Sequence, residues 1–385
     1  MRARLASLLA YFCLVLLAAF ANMVRAGGLD IVSVARDRIV SIVGKPDNPN
    51  AAAPPDGKGP NKPPKDDEPQ SGDTCDEIVP VGVTRIAGMS INNCVVSDAG
   101  YGPDPDYSVL GTSTAPAPAV CVVDTGVYFD HKDLNVDRNY EFTAFTREGV
   151  DDLSGHGTHV AGTIGARANT IGVVGVAPNA RIISIKVLNR RGSGSYRTVL
   201  DGLESIAKQS ADGDPICAVA NMSLGGPDDG SVMADAVRCL SGDVLTEEAS
   251  APDECTGNDA IPLGITFTLA AGNSYTDASD YIPANTGFEN DNIHTIAAMD
   301  SLDEWAWWSN FGDPVDYILP GVDIDSTFKN DGYKTYSGTS MAAPHMAGLV
   351  LRNKVNGTEF GIEEDLVTRT GTEDDNYFIA FDDRI

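Results

Sequence analysis

Short apolar runs alternate with helical patterns along most of this chain, and that alternation constrains the fold more than any other feature. Ala117–Val123, Ile216–Ala220 and Ile265–Ala270 are apolar at nearly every position rather than at every second one. Runs of that kind read as parallel strands buried on both faces. Ala180–Val187, Thr295–Ala298 and Tyr317–Leu319 are further strand candidates, and 157–166, 196–208, 231–240 and 339–354 carry helical spacing. The order predicts an α/β fold of three layers, a mostly parallel central sheet covered by helices on both sides.

Charge excludes one class of function. The 385 residues hold 55 Asp and Glu against 27 Lys and Arg, a net charge of −28. A surface this acidic repels phosphate backbones, so no nucleic-acid partner is expected. With 42% hydrophobic and 21% charged residues the composition is that of a globular protein.

The first residues set an expected compartment. Arg2 and Arg4 precede the apolar run Leu5–Phe20, and Ala19-Phe20-Ala21 follows the A-x-A pattern. This is the order of a cleavable secretory signal over 1–21. About 16 apolar residues are short for a hydrocarbon core roughly 30 Å thick, so no stable membrane insertion is expected. Residues 22–72 read as a short pro-segment and a Pro-rich linker, with eight prolines between Lys45 and Gly72. The main domain then spans 73–385 and ends in an acidic tail, with eight acids after Gly361. Secretion permits disulfides among Cys75, Cys94, Cys121, Cys217, Cys239 and Cys255. Cys239 with Cys255 and Cys75 with Cys94 are candidate pairs. Cys121 and Cys217 lie in apolar runs and are expected as buried free thiols. The connectivity stays open.

Chemistry gathers after the strands. The first run ends in Asp124-Thr-Gly126, the second in Asn221-Met-Ser-Leu-Gly-Gly226, the third in Ala271-Gly-Asn273. Ligands of open α/β sheets sit outside the carboxyl ends of the strands. Two further segments, Ser154–Ile164 and Ser337–Gly348, each start a helix, the first from Ser154 as cap and the second after a glycine. His156 and Ser340 therefore stand at helix N-termini, where unpaired N–H groups favour developing negative charge.

These blocks resemble the three signature segments of the subtilases, the subtilisin and proteinase K superfamily of serine endopeptidases (peptidase S8). The order Asp, His, Ser is also the subtilisin order. The likeness runs from about Ile78 to Lys354. It implies Ser340 as nucleophile, His156 as its base, Asp124 as the partner of the imidazole, and Asn273 as an oxyanion donor. His159 is assigned to packing, and His131 and His345 to structural or solvated positions. Ser223-Leu224-Gly225 resembles one wall of the specificity pocket, and Gly192-Ser193-Gly194 the edge that pairs with an extended substrate. Asp133, Asn169 and the carbonyls of Arg167, Ile171 and Val173 match a tight Ca²⁺ site. Asp316 resembles a ligand of a second, weaker one. A further ligand of the tight site, near the start of the enzyme domain, is not assigned.

The resemblance thus implies a secreted, monomeric enzyme acting on proteins or peptides through an acyl-enzyme. The alternative is a catalytically silent relative that binds peptides without cleaving them. An α/β-hydrolase esterase is disfavoured because Gly338-Thr-Ser-Met-Ala342 is not G-x-S-x-G and the triad order differs. Glu289 and Asp291 lie near the expected pocket floor, which leaves a basic preference open beside an apolar one. Asp151 and Asp152 are read as acids of a polar loop. Asn356-Gly-Thr358 is a glycosylation sequon, and the Asn221 sequon is expected to be buried. One departure from the family is the pro-segment, much shorter than the folded pro-domain of many secreted members.

Overall fold

The computed structural model describes residues 39–42, 76–92, 95–98, 102–103, 118–210, 215–228, 233–242, 263–287, 290–363, 366–369 and 376–382. The expected signal peptide and linker, Glu289, and the cysteines 75, 94 and 255 lie outside them, and with them the two candidate cysteine pairs.

The described chain enters as β1 (Ile39–Ile42) and β2 (Asp76–Ile78), then α1 (Val81–Ala87). β3 (Ala119–Asp124), β4 (Asn135–Val136) and β5 (Phe142–Thr143) lead to α2 (His156–Gly165). β6 (Ile171–Val173), β7 (Arg181–Lys186) and β8 (Ser193–Ser195) precede α3 (Tyr196–Gln209). β9 (Val219–Met222) and β10 (Leu224–Pro227) are followed by α4 (Met233–Ser241). β11 (Thr266–Ala270), β12 (Tyr281–Ile282), β13 (Ile293–Met299), β14 (Tyr317–Pro320) and the hairpin β15 (Ile324–Phe328) and β16 (Gly332–Tyr336) lead to α5 (Thr339–Asn356).

Among the described residues the central sheet has eight strands, in the order β14-β13-β11-β9-β3-β7-β4, with β5 also pairing β7. Its pairings are all parallel. Burial on both faces explains the unbroken apolar runs. Along β3, Val120 and Val122 join one core with Val160 and Ile164 of α2 and Met341 and Ala342 of α5. Ala119, Cys121 and Val123 join the other with Val199 and Leu203 of α3 and Val237 of α4. Successive side chains of a strand point to opposite faces, so one strand feeds both layers. This is the three-layer α/β/α fold that the alternation predicts.

One expectation is corrected. Cys121 and Cys217 are joined in a disulfide and are not free thiols; they are buried, with Cα atoms 5.7 Å apart. Cys217 sits just before β9, which runs beside β3, so two apolar runs that are far apart in sequence become neighbours. The acidic tail also makes a buried contact. Asp382 is fully buried and receives Nε of Arg352 at 3.0 Å and its Nη2 at 2.5 Å. Arg352, in α5, also donates from Nη1 to Val176 O at 3.0 Å, and the N–H of Asp382 donates to Ile86 O at 2.9 Å. The tail therefore ties α1 to α5. Removing one partner leaves an uncompensated buried charge, so Asp382→Ala should cost about 3 to 5 kcal/mol of unfolding free energy in denaturant melts.

Candidate active site

Asp124 ends β3, and His156 is the first residue of α2. Nδ1 of His156 lies 2.9 and 3.0 Å from the two oxygens of Asp124. An acceptor there fixes the tautomer that carries hydrogen on Nδ1 and leaves Nε2 as the basic atom. That Nε2 is buried and has no hydrogen-bond partner. Close approach of α2 to the Asp124 loop needs Gly157, because a Cβ there would stand 2.1 Å from Gly126 O.

Ser340 lies in the first turn of α5, after Gly338. Its hydroxyl donates to Ser223 O at 3.1 Å, and the Ser223 hydroxyl donates to Ser340 O at 2.9 Å. Asn221 Nδ2 in turn donates to the Ser223 hydroxyl at 2.9 Å. Asn221 is buried in β9, as expected for that sequon. Asn356 is half-buried with its Nδ2 covered, so neither sequon offers an accessible nitrogen.

Asn273 is held by its acceptor end: the N–H of Thr339 donates to its Oδ1 at 2.9 Å, next to Ser340. The loop around it is shaped by Asn310, a residue no motif singled out. Asn310 Oδ1 accepts from the N–H groups of Ser274 and Thr276, and its Nδ2 donates to Ala271 O. Gly272, at φ 113°, leaves no room for a Cβ against that amide.

Ser154 is not the cap of α2. The N-cap is Gly155, which contributes no side-chain hydrogen bond. The carboxylate of Asp152 takes that role, accepting from the N–H groups of Ser154, Gly155 and Thr158. Asp152 is therefore not the polar-loop acid that the sequence suggests. It is buried, which pushes its carboxyl above the usual range against those hydrogen bonds.

Two other histidines are buried and bonded to backbone carbonyls. His159 Nε2 lies 3.0 Å from Ile324 O and 2.8 Å from Lys334 O, and burial, with His156 nearby, pushes it down to about 3. Burial holds His345 at about 4, with Nδ1 on Met341 O.

The two expected substrate walls face each other across an extended strand. β1 lies between β8 and β10, antiparallel to both. Val40 pairs with Gly194, Ser41 with Ser193 and Gly225, and Ile42 with Leu224. The N–H of Ile42 donates to Gly192 O at 2.8 Å, and Val40 is fully buried. Following the register one step past Leu224 leads to Ser223, the residue in contact with Ser340.

The residues expected to hold calcium also converge. Asp133 is buried; its Oδ2 accepts from the N–H of Val173 at 3.1 Å and from Tyr333 at 3.2 Å. Its Oδ1 is buried with no partner. Burial pushes this carboxyl up to about 7, and the charge of Glu77 adds to the effect. Glu77, from β2 and unpredicted, accepts from the N–H groups of Asn169 and Thr170 at 2.6 and 3.0 Å. β2 pairs in parallel with β6, and only that pairing brings Glu77 here. Asp316 accepts from the N–H of Thr295 at 2.7 Å and lines a cavity of about 570 Å³ with Asn290, Asp291, His294, Tyr317 and Phe360. Asp291 thus belongs to this cavity. Burial pushes Asp316 up to about 7. Among the described residues, no group of three or more His, Cys, Asp or Glu could hold a metal by themselves.

The profile of the subtilase family matches residues 116–356. The chain belongs to the subtilase family. Subtilisin E of Bacillus subtilis (strain 168) is 37% identical over 231 residues, 60% of this chain and 53% of its own. Proteinase T of Parengyodontium album is 37% identical over 230 residues, 59% of this chain and 68% of its own. A solved structure, of a cold adapted subtilisin-like serine proteinase, covers 65% of this chain and 84% of its own at 32% identity, with a TM-score of 0.48. The chain spans about half the length of the Bacillus subtilis subtilisins it matches.

Proposed function

We propose that this subtilase is a secreted serine endopeptidase, a hydrolase of peptide bonds in proteins and peptides. The observation that carries the reading is the chain's own β1, seated as an antiparallel strand that leads toward Ser340. A substrate held in that place gains main-chain hydrogen bonds from both walls, which suits unfolded segments of varied sequence. In turnover the Ser340 hydroxyl leaves Ser223 O for Nε2 of His156, which takes the proton as Oγ attacks the carbonyl carbon. Asp124 stabilises the imidazolium. The Ser340 backbone N–H and the Asn273 amide serve the oxyanion. His156 then protonates the leaving amine, and water releases the acyl group by the same route.

A silent peptide binder is the second reading, favoured by the Ser340 hydroxyl resting on Ser223 O. A fluorophosphonate probe separates the two. The folded wild type should be labelled and Ser340→Ala should not; an unlabelled wild type removes the endopeptidase reading.

Calcium fits the Asp133 region, where the unpartnered Oδ1 needs a cation or a donor. Asp133, Asn169 and the carbonyls of Arg167, Ile171 and Val173 would hold it, with Glu77 as the ligand from the start of the domain. The ion would neutralise two buried carboxylates and hold β2 to β6. Asp316 would serve a second, weaker site. Chelation should therefore lower the melting temperature, and an unchanged melt in calorimetry would remove the ion from this account.

The acidic surface disfavours nucleic acid, and a monomer is the expected state. Among the described residues no helix is long and apolar enough to cross a membrane. β1 lies where a substrate strand would pair, so residues 22–72 would compete with substrate as a pro-segment. Val40→Asp places a charge in a fully buried position and should free the groove, lowering KM for a peptide substrate. An unchanged KM would show that β1 does not compete with substrate.

A further inference from the structure

Asp152 receives more hydrogen bonds than an ordinary helix cap requires. Its Oδ1 accepts from the Thr125 hydroxyl at 2.9 Å, the Ser154 N–H at 2.9 Å and the Gly155 N–H at 2.8 Å. Its Oδ2 accepts from the Thr158 N–H at 2.9 Å and the Thr158 hydroxyl at 2.6 Å. These donors belong to two separate elements. Thr125 follows Asp124 on the loop after β3, and Thr158 is two residues beyond His156 in α2.

Thr125 extends the connection in both directions. Its N–H donates to Asp124 Oδ1 at 2.6 Å, the same oxygen that lies 2.9 Å from His156 Nδ1. Its Oγ1 accepts from the Gly157 N–H at 2.9 Å, and its carbonyl accepts from buried Lys186 Nζ at 2.5 Å. On the far side the Thr158 hydroxyl accepts from the Tyr128 N–H at 3.0 Å. One buried carboxylate therefore sets the distance between the residue that orients the imidazole and the helix that carries it.

We propose that Asp152 is a positioning residue of the reaction, which through Thr125 and Thr158 holds Asp124 and His156 in register. This rests on the endopeptidase reading for its kinetic consequence, but its geometric consequence does not. A catalytic pair held by packing alone tolerates small shifts, and a misplacement of about 1 Å can cost on the order of 100-fold in rate. The backbone strands that bind substrate do not touch Asp152, so its loss belongs in kcat and not in KM.

The test uses the full secreted chain, with active sites counted by fluorophosphonate titration so that misfolded protein does not enter the rate. Asp152→Ala should lower kcat about 100-fold with little change in KM. Asp152→Asn should recover only a small part of that loss, because its amide oxygen still accepts at the Oδ1 position while its Nδ2 donor meets the Thr158 N–H. Thr125→Val, which removes one hydroxyl at nearly constant shape, should lower kcat in the same direction. The double variant should be no worse than Asp152→Ala alone, as expected of two residues acting through one connection. In parallel, the downfield proton resonance of His156 Nδ1–H should move or broaden in Thr125→Val, whether or not the protein turns over substrate. Unchanged kcat per active site and an unmoved resonance in Thr125→Val would overturn the proposal, as would effects confined to KM or to melting temperature. A wild type unreactive to the probe whose Nδ1–H resonance still moves in Thr125→Val would remove the endopeptidase reading and leave the positioning role standing.

Discussion

The double burial of a parallel sheet governs the rest of this structure. A strand covered on both faces must be apolar at consecutive positions, and it must exchange its backbone hydrogen bonds with neighbours on either side. Val120, Cys121, Val122 and Val123 satisfy the first demand by feeding two cores at once. β7 and β9 satisfy the second. With the bodies of the strands so committed, the candidate site residues Asp124, Ser223 and Asn273 fall at or just after carboxyl ends.

Around those ends the scarce resource is space. The helix of His156 and the helix of Ser340 both start against the sheet, and small residues let them do so. Gly157 admits Gly126 O, and Gly348 sits against Val176. Close approach leaves many backbone N–H groups without helical partners, and buried donors must be satisfied. Asp152 answers that need from outside the helix it serves, and Asn310 does the same for the loop of Asn273. Their hydrogen bonds also fix the loops that bear Asp124 and Asn273, so satisfying the backbone and positioning the candidate site residues are one operation.

Much of the fold and of the candidate site was legible in the chain order. The apolar runs at 117–123, 216–220 and 265–270 became β3, β9 and β11 with shifts of a few residues, because an all-apolar pattern reports burial whatever surrounds it. Asp124, His156, Asn273 and Ser340 were legible because each stands in a short block whose small neighbours are themselves informative. Glu77, Asn310 and the joined Cys121 and Cys217 were not. Each acts on a partner distant in sequence, and nothing local distinguishes such an acid, amide or cysteine from one that bonds nothing. Asp152 looked like one of a pair of solvated acids for the same reason, and Asp382 like one more charge in an acidic tail.

The sequence by itself determined the layer architecture, the order of the candidate site residues and the family, since periodicity and short blocks are properties of neighbouring residues. The tertiary structure alone decided which oxygens of Asp152 and Asp133 are satisfied, that Arg352 meets Asp382, and that Ile39–Ile42 lies in the groove between β8 and β10. Those facts depend on which surfaces meet when the chain closes, and hydrogen-bond geometry across such contacts leaves no local trace in the order of amino acids.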